Sequence, residues 1–140
     1  MEYKKIGNKY IVRLNIGEDI VETLKTFCTE QQITLGWVQG IGAVDKANLG
    51  FFQVETKEYY TKDFTGDYEV TSLLGNVTTK DGEVYLHLHI TLSDEEYKTY
   101  GGHLNSAIIS VTGEIVIEAI EGTVERQMDE EIGINLFKFN

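Results

Sequence analysis

The chain contains no proline and only one cysteine, Cys28. It also lacks a Ser/Gly-rich linker, an internal repeat and any low-complexity tract, so nothing marks an internal boundary and residues 1–140 read as one domain. A lone cysteine excludes an intramolecular disulfide and fits a reducing compartment. Cys28 lies on the apolar face of a predicted helix and reads as a small buried residue rather than a nucleophile. No apolar run approaches the roughly 20 residues that a membrane helix needs, so no membrane partner is expected. The opening Met1-Glu2-Tyr3-Lys4-Lys5 has no signal-peptide core, and a cytoplasmic protein is the expectation. Bases are scarce as well: 12 against 23 acids, a formal net charge of −11. Nucleic-acid binding draws much of its affinity from neutralised phosphates, so DNA as a partner starts against long-range repulsion. The one locally basic stretch holds Lys4, Lys5, Lys9 and Arg13 beside Glu2, and solvated bases guarding an edge strand account for it.

What is present is ordinary globular material, 41% hydrophobic and 25% charged. Glu18 to about Gln31 predicts one long helix, with Ile20, Val21, Leu24, Phe27 and Cys28 at helical spacing. Strands are predicted at Tyr10–Leu14, Ala47–Val54, Glu58–Asp63, Tyr68–Thr78, Glu83–Leu92, Ala107–Glu121 and Gly133–Phe139, with Asp81-Gly82 as a hairpin turn. Ser93 and Glu96 have capping-box spacing, which predicts a short second helix over 94–100, ended by Gly101-Gly102. The expected fold class is therefore α+β: an antiparallel-rich β-sheet with one long and one short helix. The stretch Glu114–Glu131, with seven acids and Arg126 alone as a base, reads as a solvated face.

The segment from Val84 to Leu92 is the most informative. Strand side chains alternate, so Val84, Leu86, Leu88, Ile90 and Leu92 take one face, and Tyr85, His87, His89 and Thr91 take the other. His87 and His89 are then close enough to share an ion, and His103 follows Gly101-Gly102, a turn that can swing it back towards them. These are the only histidines in the chain. Three neutral imidazoles with one open position suit zinc or another divalent transition metal. Tyr85 and Thr91 are the expected pocket neighbours. Asp94, Glu95 and Glu96 lie between the two histidine segments, where one could serve as a ligand or general base; solvated acids at a helix start are the plainer reading. Gly40-Ile41-Gly42-Ala43 lacks the third glycine of a dinucleotide fingerprint and reads as close backbone approach in a strand, so no nucleotide cofactor is expected.

His87-Leu88-His89-Ile90-Thr91-Leu92-Ser93-Asp94 together with Gly101-Gly102-His103-Leu104 resembles the plant-and-prokaryote conserved (PPC) domain, once described as PD1-like DNA-binding. Gly40–Val44, Gly66–Val70, Leu73–Val77 and Val111–Ile115 resemble the same family in the same order, over about residues 8 to 120. The resemblance implies an antiparallel-rich α+β fold, a homotrimer and, as in prokaryotic members, a metal held by His87, His89 and His103. Plant members carry Arg-Gly-Arg-Pro DNA hooks outside the domain, and this chain has none. The expected function is thus a zinc-binding homotrimeric domain that senses or binds a small molecule of unknown identity. The alternatives are DNA binding, as the family label suggests, and a zinc-dependent hydrolase.

Overall fold

The structure is a computed structural model that describes residues 1–139. Eight strands and one helix follow in the order β1 (Glu2–Ile6), β2 (Lys9–Leu14), α1 (Ile20–Glu30), β3 (Gly36–Gln53), β4 (Glu58–Lys80), β5 (Glu83–Ser93), β6 (Thr99–Ala119), β7 (Glu125–Asp129) and β8 (Ile134–Lys138). The fold is mainly β, which corrects the α+β expectation. Its one helix has 11 residues, against 18, 23 and 21 in β3, β4 and β6. The long strands arise because segments that read as separate pieces, such as Glu58–Asp63 and Tyr68–Thr78, run on as one strand through register shifts against β3.

The second helix is absent among the described residues. Residues 94–98 instead form the loop of the β5–β6 hairpin. The Asp94 carboxylate accepts from the backbone N–H groups of Glu96 (3.0 Å) and Lys98 (2.9 Å), and Tyr97 takes a φ of 63°. An aspartate that captures two later N–H groups offers the backbone a turn in place of a helix, and pairing of the flanking strands decides between them. Asp81-Gly82 does form the expected two-residue hairpin, with both residues at positive φ.

Strand order in the sheet is β1-β2-β6-β3-β4-β7-β8, with β5 pairing to both β4 and β6. The pairings β3–β4, β4–β5, β5–β6 and β6–β3 therefore return on themselves in a closed circuit. All are antiparallel; the single parallel pairing, Thr79 with Glu125, attaches the β7–β8 hairpin to the end of β4. Helix α1 lies over β5 and β6. Asp19 starts it, one carboxylate oxygen accepting from Glu22 N (2.9 Å) and the other from Ala107 N of β6 (3.1 Å).

Ile20, Leu24, Phe27 and Cys28 of α1 are buried with Val12 and Leu14 of β2, Val38, Leu88, Ile90 and Leu92, and Ile109, Ile115 and Ile117 of β6. Fully burying each large side chain is worth about 1.5–3 kcal/mol. Cys28 is wholly buried, and burial pushes its thiol up to about 12, as suits a packing residue. Leu88, Ile90 and Leu92 face inward, so Tyr85, His87 and His89 of the same strand face outward. No helix among the described residues is long and apolar enough to cross a membrane.

Candidate metal centre

Two strand pairings assemble the histidines. Alternation along β5 puts His87 and His89 on its outer face, where they stand opposite Asn76 and Leu74 of β4. His103 arrives from β6, directly opposite His89 and beside Gly50 of β3. Gly101 and Gly102 do not make the expected turn; both lie within β6. Gly102 is needed for close approach, since a Cβ there would stand 2.8 Å from the Gly50 carbonyl oxygen.

The three rings form a triangle with centroids 5.1, 5.2 and 5.5 Å apart. One nitrogen from each lies within 4.8 Å of the others, and His87 Nε2 is 3.2 Å from His89 Nε2. Two nitrogens on one tetrahedral zinc, at metal–nitrogen distances of 2.0–2.1 Å, stand about 3.3 Å apart. Burial, with Arg126, His103 and His89 nearby, lowers the His87 pKa to about 4. Burial, His89 and Arg126 also lower that of His103. Both rings are thus neutral at ordinary pH, the form in which imidazole ligates a metal.

The histidines floor a cavity of about 690 Å³. Tyr85 lines it. Thr91 does not: half-buried two residues beyond His89, it accepts at its carbonyl from Thr71 Oγ1 (3.2 Å). Asp94, Glu95 and Glu96 are also away from the cavity. Asp94 shapes the hairpin loop and accepts from Tyr100 Oη (3.0 Å), and Glu96 pairs with Lys98. Tyr59 meets His103 edge to face at 6.2 Å and donates to Asn105 (2.8 Å), which donates to Asn48 (2.8 Å), which donates to Asp63 (2.6 Å). This chain of bonds braces one cavity wall.

The other wall holds a residue that the sequence reading left in a solvated face. Arg126, on β7, is only 6% exposed. Its Nε donates to Thr78 Oγ1 (2.8 Å), Nη1 to the Asn135 carbonyl (2.9 Å) and Nη2 to Asn76 Oδ1 (2.8 Å), with His87 Nδ1 at 3.4 Å from Nη2. The guanidinium lies between the rings of Tyr85 (5.0 Å) and Phe137 (4.5 Å). The available signal was Arg126 itself, the only base in a run of seven acids.

The Plants and Prokaryotes Conserved (PCC) domain model matches residues 1–121. Among solved structures, a candidate DNA-binding protein from Bacteroides thetaiotaomicron is 42% identical with a TM-score of 0.97, covering 99% of this chain and 96% of that one. A metal-containing protein from Archaeoglobus fulgidus is 32% identical with a TM-score of 0.88, covering 99% of each chain. Among curated proteins, a bifunctional protein GlmU from Synechococcus sp. is 31% identical over 127 residues; the match takes in 89% of this chain and 19% of that protein's length. With its fold, its histidine triangle and a family match over most of its length, the chain belongs to the Plants and Prokaryotes Conserved (PCC) domain family.

Proposed function

We infer that this chain is a metal-binding domain in which His87, His89 and His103 hold one divalent transition ion, zinc foremost, beneath a cavity that takes a small molecule. The observation that carries this reading is the convergence of the chain's three histidines, from two strands, to within 4.8 Å of one another. The donor set fits: nitrogens near tetrahedral spacing and two rings held neutral. The metal-containing relative from Archaeoglobus fulgidus supports it further. Elemental analysis of untagged protein, wild type beside His89→Ala, tests it. About one zinc per chain, lost in the variant, is the expected result for a single structural or sensory ion; no metal in either protein would overturn the reading.

The same reading includes a homotrimer. Trp37, Ile41 and Leu74 are exposed on the outer face that also bears the histidines, and Leu74 stands opposite His89. A second copy of the chain covering this face would bury it. Sedimentation should then give three times the 15.8 kDa chain mass; a monomer across the concentration range would remove the trimer from the reading.

Binding is favoured over hydrolysis because, among the described residues, no carboxylate lines the cavity to act as general base. DNA binding has the label of the Bacteroides relative in its favour and the charge against it. The basic stretch is also neutralised locally, with Arg13 3.0 Å from Glu2 and Lys9 4.0 Å from Glu118. Fluorescence anisotropy at low salt should show no DNA binding at micromolar protein.

A further inference from the structure

We propose that the cavity over the three histidines is a receptor for a small organic carboxylate, which Arg126 anchors. The proposal rests on the metal-binding reading for the ion beside Arg126, and on separate observations for Arg126 itself.

The first is an inversion of charge. In a chain with 23 acids and 12 bases, the described residues that line this cavity include no acid, yet include both Arg126 and Lys57. The cavity is therefore locally positive inside a strongly negative protein. Any divalent ion on the histidines would add to that sign.

The second is the state of Arg126. It is 6% exposed, and the three acceptors to which it donates among the described residues are neutral: a threonine hydroxyl, an asparagine amide oxygen and a backbone carbonyl. Buried charges are normally paired, because an unpaired ion gives up its hydration and gains no counter-charge in return. No carboxylate supplies that pairing among the described residues. The flat faces of Tyr85 and Phe137 hold the guanidinium plane without cancelling its charge. A planar guanidinium suits a carboxylate, which accepts two parallel N–H bonds from it.

The third observation is the rest of the wall. Phe51, Phe52, Tyr59 and Met128 line the same cavity, and its volume of about 690 Å³ is that of a small-molecule site. Apolar walls with a cationic anchor describe an organic acid rather than a bare inorganic ion. The family match ends at residue 121, so Arg126 and the hairpin that carries it lie beyond the conserved domain.

The test is calorimetry of zinc-treated protein of measured zinc content, titrated with benzoate, its neutral counterpart benzamide, and inorganic phosphate. Benzoate should bind at least about tenfold tighter than benzamide, the scale of one charge-assisted contact. It should also bind tighter than phosphate. Arg126→Gln should abolish the preference for benzoate, and Arg126→Lys should keep part of it. Arg126→Gln removes hydrogen bonds that hold the β7–β8 hairpin, so Lys57→Met, at an exposed turn, serves as a second variant and should weaken benzoate about threefold. Equal binding of benzoate and benzamide by the wild-type protein, or a preference for phosphate, overturns the proposal. If either occurs with one zinc per chain, the metal reading stands. If no zinc binds, that reading fails on its own, and an Arg126-dependent preference for benzoate still upholds this one.

Discussion

His89 and His103 stand directly opposite each other across the β5–β6 ladder. That ladder is the pairing that closes the circuit of β3, β4, β5 and β6. The histidine triangle is thus assembled where two distant stretches of sheet are joined, and its integrity depends on that closure. His87 completes it from the same face of β5, two residues before His89, because a strand repeats its outward face at every second residue.

His89→Ala should separate metal binding from folding. The side chain is exposed, so urea midpoints of the metal-free proteins should differ by no more than about 0.5 kcal/mol equivalent. Removing a residue that merely supports a metal ligand costs about 10–100-fold in affinity, so removing a ligand should cost more. Competition titration with a chelator reads that loss, and His87→Ala and His103→Ala should behave alike.

Gly75→Ala should damage the site from behind. Gly75 faces Leu88 in the β4–β5 ladder, and a Cβ there would stand 2.0 Å from the His87 carbonyl oxygen and 2.8 Å from Leu88 Cα. Both atoms are backbone, so strand β5 must move. The expected cost is about 1–3 kcal/mol of stability, typical of overpacking, together with weaker metal binding. Chemical denaturation and metal analysis of one preparation measure both.

The metal-free protein should lose stability as the pH falls from about 6.5, the ordinary histidine value. Burial, Arg126 and the other two histidines hold the His87 pKa down to about 4 in the folded state. Between these values the unfolded chain takes up a proton that the folded one refuses, so protonation favours unfolding. Above 6.5 both states are neutral and this contribution to stability is fully present; below about 4 its loss is complete. His103 is lowered in the same direction and adds the same sign. Urea midpoints of chelator-treated protein at pH 7.5, 6.0 and 5.0 should fall, and His87→Asn should flatten the trend.

Phe27→Ala should be the most costly of these changes. The side chain is 1% exposed and meets the ring edges of Tyr3 (4.9 Å) and Tyr10 (5.5 Å), tying α1 to the β1–β2 hairpin. Truncation leaves a cavity under the helix and should cost about 3–5 kcal/mol, read from thermal or urea denaturation.

Which parts of this were legible in the sequence follows from the range of the forces involved. Alternation along Val84–Leu92 is written in neighbouring residues, and it assigned His87 and His89 to one face correctly as geometry. The same holds for α1 and for the Asp81-Gly82 turn, where spacing and local backbone preference suffice. The short helix failed because Ser93 and Glu96 suited a cap while Asp94 suited a turn; two long strands meeting on either side selected the turn. Thr91 failed as a cavity residue although it shares the parity of His89. The β4 register shifts between Val70 and Ser72, opposite that end of β5, and no count along β5 alone contains this.

By itself the sequence determined the local elements, the apolar and polar faces of β5, and the histidines as the residues able to hold an ion. Only the tertiary structure decided that Glu58–Lys80 is one strand, that the sheet closes on itself, and that a buried arginine from an acidic stretch overlooks the histidines. The physical reason is that periodicity and turn chemistry act between near neighbours. Pairing β5 with β6, or placing Arg126 39 residues along the chain beside His87, instead depends on the summed burial and hydrogen bonding of strands far apart in sequence.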